Sequence, residues 1–260
     1  MRGGMKLRII GPYGGEAPGA FLNCFLLDET VLLDAGSVCH VLDQTEQGRI
    51  QHVLLSHAHL DHFSSLPHMA VSVFGLDTEP VKIHALRPCL DTLSAHVLNN
   101  EVWPDFTKIN RPNGKRVFEF NELSEGRENK VGDWMVRPIR MNHPVPTAGF
   151  IASKNGQSLA YSADTGSTEE FWDAVSDAAN LRGLVVEVSF PNSLQKLADI
   201  TGHLTAQGLA LELKKVRRPL SVPIIVFGVK PEYEKDIRKE LKDLRLPGLE
   251  FPKTDKVYSL

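Results

Sequence analysis

The chain has 260 residues, 42% hydrophobic and 23% charged, with 29 basic against 32 acidic side chains and a formal net charge of −3. That is enough for one large domain or two small ones, each with a buried core, in the composition range of ordinary soluble proteins. The charge balance offers no basic field to the backbone of a nucleic acid, and no run nears the ~20 apolar residues of a membrane span.

The first five residues, Met1 to Met5, are not followed by an apolar core segment, so no secretory leader is expected. Strand-like apolar runs then occur at 7–10, 21–27 and 31–34, ahead of a helical pattern at 37–47. A strand at 52–56 leads into a helix at 64–73, and a strand at 81–85 into a helix at 88–98. The polar stretch 110–133 reads as a loop or hairpin excursion around one strand at 117–120. Strands follow at 134–141, 149–153 and 158–162, a helix at 169–179, and a strand at 184–188. A helix at 205–216, a strand at 224–227 and a helix at 232–244 close the pattern. Thr205 fits an N-cap and Pro231 a first helical turn, where its missing N–H costs nothing.

Paired strands giving way to alternating strands and helices predict a mixed α/β protein, with sheets packed together and helices outside. One domain over 1–260 is expected, because the metal-ligand candidates beyond the 57–62 string are spread from residue 143 onward. The three cysteines, Cys24, Cys39 and Cys89, are odd in number and form no CxxC. A disulfide framework is therefore not expected and a reducing cytoplasm fits.

The most informative string is His57-x-His59-x-Asp61-His62, directly after the apolar run Val53-Leu54-Leu55 and Ser56. Imidazole and carboxylate ligands suit Zn, Fe and Mn. His57 and His59 lie two apart on extended chain and point the same way. Asp61 and His62, at the start of the next helix, can aim at a second point, so the spacing indicates two adjacent ions.

Further ligands are needed. His143 follows one strand and Asp164 another, both at strand ends where ligands of open α/β sheets gather. Asp164 can bridge two ions with its two oxygens. Asp34 is another strand-end acid, read here as a buried carboxylate accepting backbone N–H bonds rather than as a ligand. Glu187 and His203 form a carboxylate–imidazole pair suited to proton donation, with a surface histidine near a helix cap as the plainer reading. His40, His52, His68, His84 and His96 have structural contexts.

These residues resemble the metallo-β-lactamase superfamily: His57-x-His59-x-Asp61-His62, then His143, then Asp164, with Leu33-Asp34-Ala35-Gly36 upstream. Within it the chain is most similar to class II cyclic-nucleotide phosphodiesterases. That likeness rests on the string from Ser56 to Leu66, on His96 to Pro104, on Glu187 to Asn192 with Gly202-His203-Leu204-Thr205, and on Lys230-Pro231. It runs from about residue 7 to residue 245. It implies a four-layer αββα sandwich holding one or two divalent ions, zinc ahead of iron or manganese. Metal one would take His57, His59 and His143, metal two Asp61 and His62, with Asp164 bridging.

The implied reaction is hydrolysis of a 3′,5′-cyclic nucleotide such as cyclic AMP by a metal-bound hydroxide. Asp61, His203 and Glu187 form the catalytic set, His203 protonating the leaving oxygen. Asn99, Asn100 and Trp103 are the candidate substrate-binding residues. Trp103 either stacks on a purine or packs into a core or a homodimer contact. The partner is then a small phosphodiester, with no role for membrane or nucleic acid.

One position departs from the family pattern: Gly228 stands where members carry a final histidine ligand before Lys-Pro. Two alternatives therefore stay open. One is another hydrolase on this scaffold, acting on RNA ends, a thioester or a lactone. The other is a mono-metal binding or sensing protein whose catalysis has decayed.

Overall fold

The computed structural model describes residues 4–260, so residues 1–3 of the stretch read for a leader lie outside it. In chain order the strands are β1 (Lys6–Gly11), β2 (Cys24–Leu27), β3 (Val31–Leu33), β4 (His52–Leu54), β5 (Val81–Ala85) and β6 (Phe118–Glu122). Then come β7 (Asn129–Val131), β8 (Trp134–Arg140), β9 (Ala148–Lys154), β10 (Gln157–Tyr161), β11 (Leu181–Glu187), β12 (Ile224–Phe227), β13 (Leu249–Glu250) and β14 (Val257–Ser259). They build two seven-stranded sheets, ordered β14-β1-β2-β3-β4-β5-β6 and β13-β12-β11-β10-β9-β8-β7. Each sheet is antiparallel on one side and parallel on the other, the parallel strands being β3 to β6 and β10 to β13.

Burial alternation makes the layers. Along β2, Phe25 and Leu27 face the second sheet, whereas Cys24 and Leu26 face helices. Along β12, Ile225 and Phe227 face inward, whereas Ile224 and Val226 meet helices on the far side. Both strands are buried on both faces, which is why their sequences are continuously apolar. The inter-sheet layer is locked by aromatic contacts, with Phe25 5.3 Å from Phe227 edge to face and Tyr161 5.1 Å from Phe227. The outer layers hold Leu66, Met69, Leu90 and Leu93 on one sheet, and Trp172, Leu209, Ile237 and Leu241 on the other. Three apolar layers separate four layers of structure, the αββα sandwich the resemblance implied.

Helix boundaries differ where capping chemistry intervenes. The helix expected at 37–47 is two pieces, Val38–Val41 and Gln44–Gln47. Asp43 starts the second piece: its carboxylate accepts the N–H of Glu46 at 2.8 Å, and Glu46 accepts the N–H of Asp43 at 3.0 Å. The helix expected at 64–73 is preceded by a separate turn, Leu60–Phe63, before Leu66–Val73. Gln195–Thr201, β7, β13 and β14 have no counterpart in the sequence reading. Thr205 does cap Ala206–Glu212, its hydroxyl accepting the N–H of Gly208 at 3.0 Å, and Pro231 opens a short 3-10 turn before Glu234–Asp243. Among the described residues no helix is long and apolar enough to cross a membrane. The three cysteines are free thiols, Cys24 and Cys89 buried and Cys39 half-buried.

Two histidines given structural roles do pair. His52 Nδ1 lies 3.1 Å from His84 Nε2, with both residues buried. Burial, then His52 and Lys82, push His84 down from 6.5 to about 4, and burial with Lys82 lowers His52 against the opposing pull of Asp133. The unfolded chain therefore binds protons first as pH falls. The pair's contribution is complete above about pH 6.5 and is lost toward pH 4, by up to about 3 kcal/mol. Urea unfolding of wild type and His84→Phe across this range tests it. The variant is expected to lose less stability on acidification, and equal losses contradict the account.

Candidate metal centre

Every candidate ligand hangs from one edge of the sandwich, just past the ends of β4, β8 and β10. Beyond β4 the chain runs extended through His57 to His59, whose backbone stands before the turn Leu60–Phe63 and whose ring lies 4.6 Å from that of His57. Asp61 and His62 sit in that turn. Asp164 follows Ala163, which holds a positive φ of 53°. Such strain in a residue with a Cβ persists only where surrounding structure over-determines it.

The first cluster joins His57, His59, His143 and Asp164, whose ligand atoms lie within 4.8 Å of one another. His143 Nδ1 donates to the carbonyl of Gly202 at 2.9 Å, so Nε2 carries the lone pair and faces His59 Nδ1 at 3.1 Å. His57 Nε2 lies 3.9 Å from Asp164 Oδ2. A tetrahedral ion with bonds of 2.0–2.1 Å sets its ligands about 3.3–3.4 Å apart, and these separations bracket that. The buried atoms supply the fit test. His57 Nε2 and Asp164 Oδ1 have no hydrogen-bond partner although both residues are almost fully buried. Buried polar atoms are seldom left unpaired, and both belong to residues of this cluster, where a bound ion would satisfy them. Burial lowers the pKa of His57, His59 and His143, keeping them in the neutral form a metal requires.

The second cluster joins Asp61, His62 and Asp164. His62 Nε2 stands 3.4 Å from Asp61 Oδ2 and 3.3 Å from Asp164 Oδ2. Its other nitrogen contacts Asp34 Oδ2 at 2.7 Å. Asp34 is fully buried and also accepts the N–H of Ser56 at 2.8 Å, the Ser56 hydroxyl at 2.8 Å and the Tyr161 hydroxyl. The expected role of Asp34, a buried carboxylate taking backbone N–H, is thus only part of what it does: it also fixes the ring of His62. Burial opposes a charge on His62, yet Asp164, Asp61 and Asp34 together raise its pKa well above the ordinary value.

Gly228 lies beside Glu187 with φ +77°, and a Cβ there would meet Glu187 Cγ at 2.9 Å. The left-handed backbone and the Glu187 side chain together would strain a histidine in this position. Asn23 was not singled out in sequence. It is fully buried, with Nδ2 3.0 Å from His62 Nε2 and 3.4 Å from Asp61 Oδ2. Its only sequence signal is an amide inside the otherwise apolar run 21–27.

Glu187 ends β11 and is fully buried, and His203 follows Gly202, whose φ of +66° ends the helix Gln195–Thr201. A Cβ on Gly202 would lie 3.0 Å from His143 Cα, so glycine here lets the two histidine segments touch. His203 Nδ1 donates to Glu187 Oε1 at 2.7 Å, and the Leu204 N–H donates to Glu187 Oε2 at 2.9 Å. Burial alone would discharge His203, but Glu187 and Asp164 raise its pKa, while burial raises that of Glu187 against the pull of His203. His203 Nδ1 is 3.9 Å from Asp164 Oδ2, so this pair adjoins both clusters.

Asn99 and Asn100 spend their side-chain oxygens on their own loop, and Trp103 reaches the helix Leu66–Val73. Asn99 Oδ1 accepts the N–H groups of Glu101 and Val102, and Asn100 Oδ1 accepts that of Asp105. Trp103 Nε1 donates to the carbonyl of Pro67 at 3.0 Å, and the ring packs half-buried against the outer core beside His68. The core-packing alternative for Trp103 describes this position.

The beta-lactamase superfamily domain matches residues 30–224. The chain belongs to that superfamily. It is similar to a probable 3′,5′-cyclic-nucleotide phosphodiesterase of Yersinia pestis, 29% identical over 78% of this chain and 65% of the relative. It is also similar to a Ribonuclease Z of Borrelia garinii subsp. bavariensis, 34% identical over 50% of this chain and 36% of that protein. The match therefore spans less than two thirds of either relative's length. The crystal structure of unliganded yeast PDE1 superposes with a TM-score of 0.82 over 99% of each chain at 19% identity, which shows the shared sandwich.

Proposed function

We propose that the protein is a metal-dependent phosphodiesterase acting on 3′,5′-cyclic nucleotides, cyclic AMP among them. The observation that carries this reading is the Glu187–His203 pair set against Asp164 at the edge of the histidine cluster. A nucleotide phosphodiester needs a proton for its leaving oxygen, and this pair is built to deliver one. The name of the Yersinia relative supports the substrate class.

A divalent metal pair supplies an activated water and neutralises charge on the phosphate. His57, His59, His143 and Asp164 would hold the first ion, and Asp61, His62 and Asp164 the second. Zinc suits the imidazole-rich first site, with iron and manganese as alternatives. The residues do the rest. Glu187 holds Nδ1–H of His203, leaving Nε2–H to donate to O3′ as the P–O3′ bond breaks. The proton released by the attacking water leaves through Asp61, whose side chain is 29% exposed where Asp164 is 5% exposed. Asp34 keeps His62 aimed through both steps. Water adds to phosphorus, O3′ leaves as a hydroxyl, and the product is a 5′-nucleotide.

The Ribonuclease Z likeness favours a second reading, processing of RNA ends. The net charge of −3 weighs against it, since RNA binding draws on a basic surface. A cytoplasmic location belongs to the same proposal, supported by three unpaired thiols. A substrate panel separates the readings. With Mn²⁺ or Zn²⁺, cyclic AMP or cyclic GMP is expected to turn over at least ~100-fold faster than a 3′-extended tRNA precursor. Faster cleavage of the RNA would overturn the cyclic-nucleotide reading.

A further inference from the structure

The second cluster holds two carboxylates and one imidazole, and Gly228 cannot complete it. We propose that Asn23 supplies the missing ligand through its amide oxygen and so makes the second site oxygen-rich and suited to Mn²⁺. The inference rests on the two-metal reading above.

Three observations carry it. Asn23 is fully buried, and its amide nitrogen lies 3.0 Å from His62 Nε2 and 3.4 Å from Asp61 Oδ2, two of the atoms that would bind the ion. An N–H₂ group carries partial positive charge, so it stands where a cation would be attracted. The Oδ1 end of the same amide is buried without a hydrogen-bond partner. An unpaired buried carbonyl is costly, and turning the amide about its soft terminal torsion would present that oxygen to an ion instead. Oxygen and nitrogen of an amide are assigned from their surroundings, and a cation in the cluster would reverse the preference.

The chain's topology makes the replacement local. Asn23 precedes β2, and its carbonyl accepts the N–H of Gly36 at 2.9 Å, tying it to the loop that carries Asp34. Both Asn23 and Asp34 therefore address His62, Asp34 at Nδ1 and Asn23 at Nε2. With Asn23 included, the second site offers three oxygens and one nitrogen, against three nitrogens and one oxygen at the first. Carboxylate and carbonyl oxygens suit Mn²⁺, whereas imidazoles suit Zn²⁺.

The test titrates metal-stripped protein with Mn²⁺ by calorimetry and by electron paramagnetic resonance, which reads metal occupancy without substrate. Wild type is expected to bind two equivalents, with the spin coupling of a close pair. Asn23→Ala is expected to keep the first equivalent and weaken the second by at least ~10–100-fold, losing the coupled signal. Asn23→Asp returns an oxygen to the same place with added charge and is expected to bind the second Mn²⁺ more tightly than wild type. Retention of the first equivalent also reports that a variant has folded. Two unweakened equivalents in Asn23→Ala, only one in wild type, or an unchanged second affinity in Asn23→Asp would each overturn the assignment. Absence of any bound metal in wild type would instead sink the metal-dependent reading itself.

Discussion

Replacing His203 with alanine is expected to lower kcat on a cyclic nucleotide by about 10²–10⁴-fold with metal content unchanged. His203 bonds Glu187 rather than the first cluster, so its loss removes a proton donor and leaves the ligand atoms in place. The leaving group distinguishes this role from a structural one. An alkoxide such as O3′ needs a proton as it departs, whereas p-nitrophenolate does not. The variant should therefore lose far less on bis(p-nitrophenyl) phosphate than on cyclic AMP. Glu187 is fully buried and would lose its partner, so His203→Gln, which keeps a donor, serves as a second variant should alanine destabilise the fold. Equal losses on both substrates would show that His203 supports the site without donating a proton.

The second large effect is expected at Asp164. It is the one side chain common to both clusters, beside His57 and His62, and it also stands next to His203 of the Glu187–His203 pair. Burial alone would keep its proton on, but His62, then His203 and His57, hold its pKa well below the usual carboxylate range. Asp164→Ala takes a ligand from both ions at once and is expected to abolish turnover, a loss of more than ~10³-fold. Wild type should gain about 2.7 kcal/mol of stability when free metal is 100 times Kd, through binding to the folded state alone. The variant should gain little. A metal-induced rise in Tm equal to that of wild type would contradict the shared role of Asp164.

Much of the fold was legible because burial on both faces leaves a plain mark. β12 was placed at its observed bounds as a continuous apolar run, and β5 as an alternating one whose Lys82 points outward. The helix at 37–47 was not, because the break at Asp43 depends on a reciprocal cap with Glu46 rather than on apolar periodicity. The short edge strands β13 and β14 were missed for a related reason: two or three residues with little burial carry no period.

The site divides in the same way. His57, His59, Asp61 and His62 announce themselves by spacing, and His143 and Asp164 by standing after strands. The positioning residues do not. Nothing in sequence ties Asp34 to His62, 28 residues away, or Tyr161 to Asp34, 127 residues away. Asn23 was invisible because an isolated asparagine carries no motif, and only its place opposite His62 gives it meaning.

The central claim is that this edge cleaves the P–O3′ bond of a cyclic nucleotide with water. The most direct measurement incubates the metal-loaded protein with cyclic AMP in ¹⁸O-labelled water and follows the product by mass spectrometry. The account predicts 5′-AMP carrying one ¹⁸O on its phosphate. Unconsumed cyclic AMP under saturating Mn²⁺ and Zn²⁺, or 3′-AMP as the product, would contradict it.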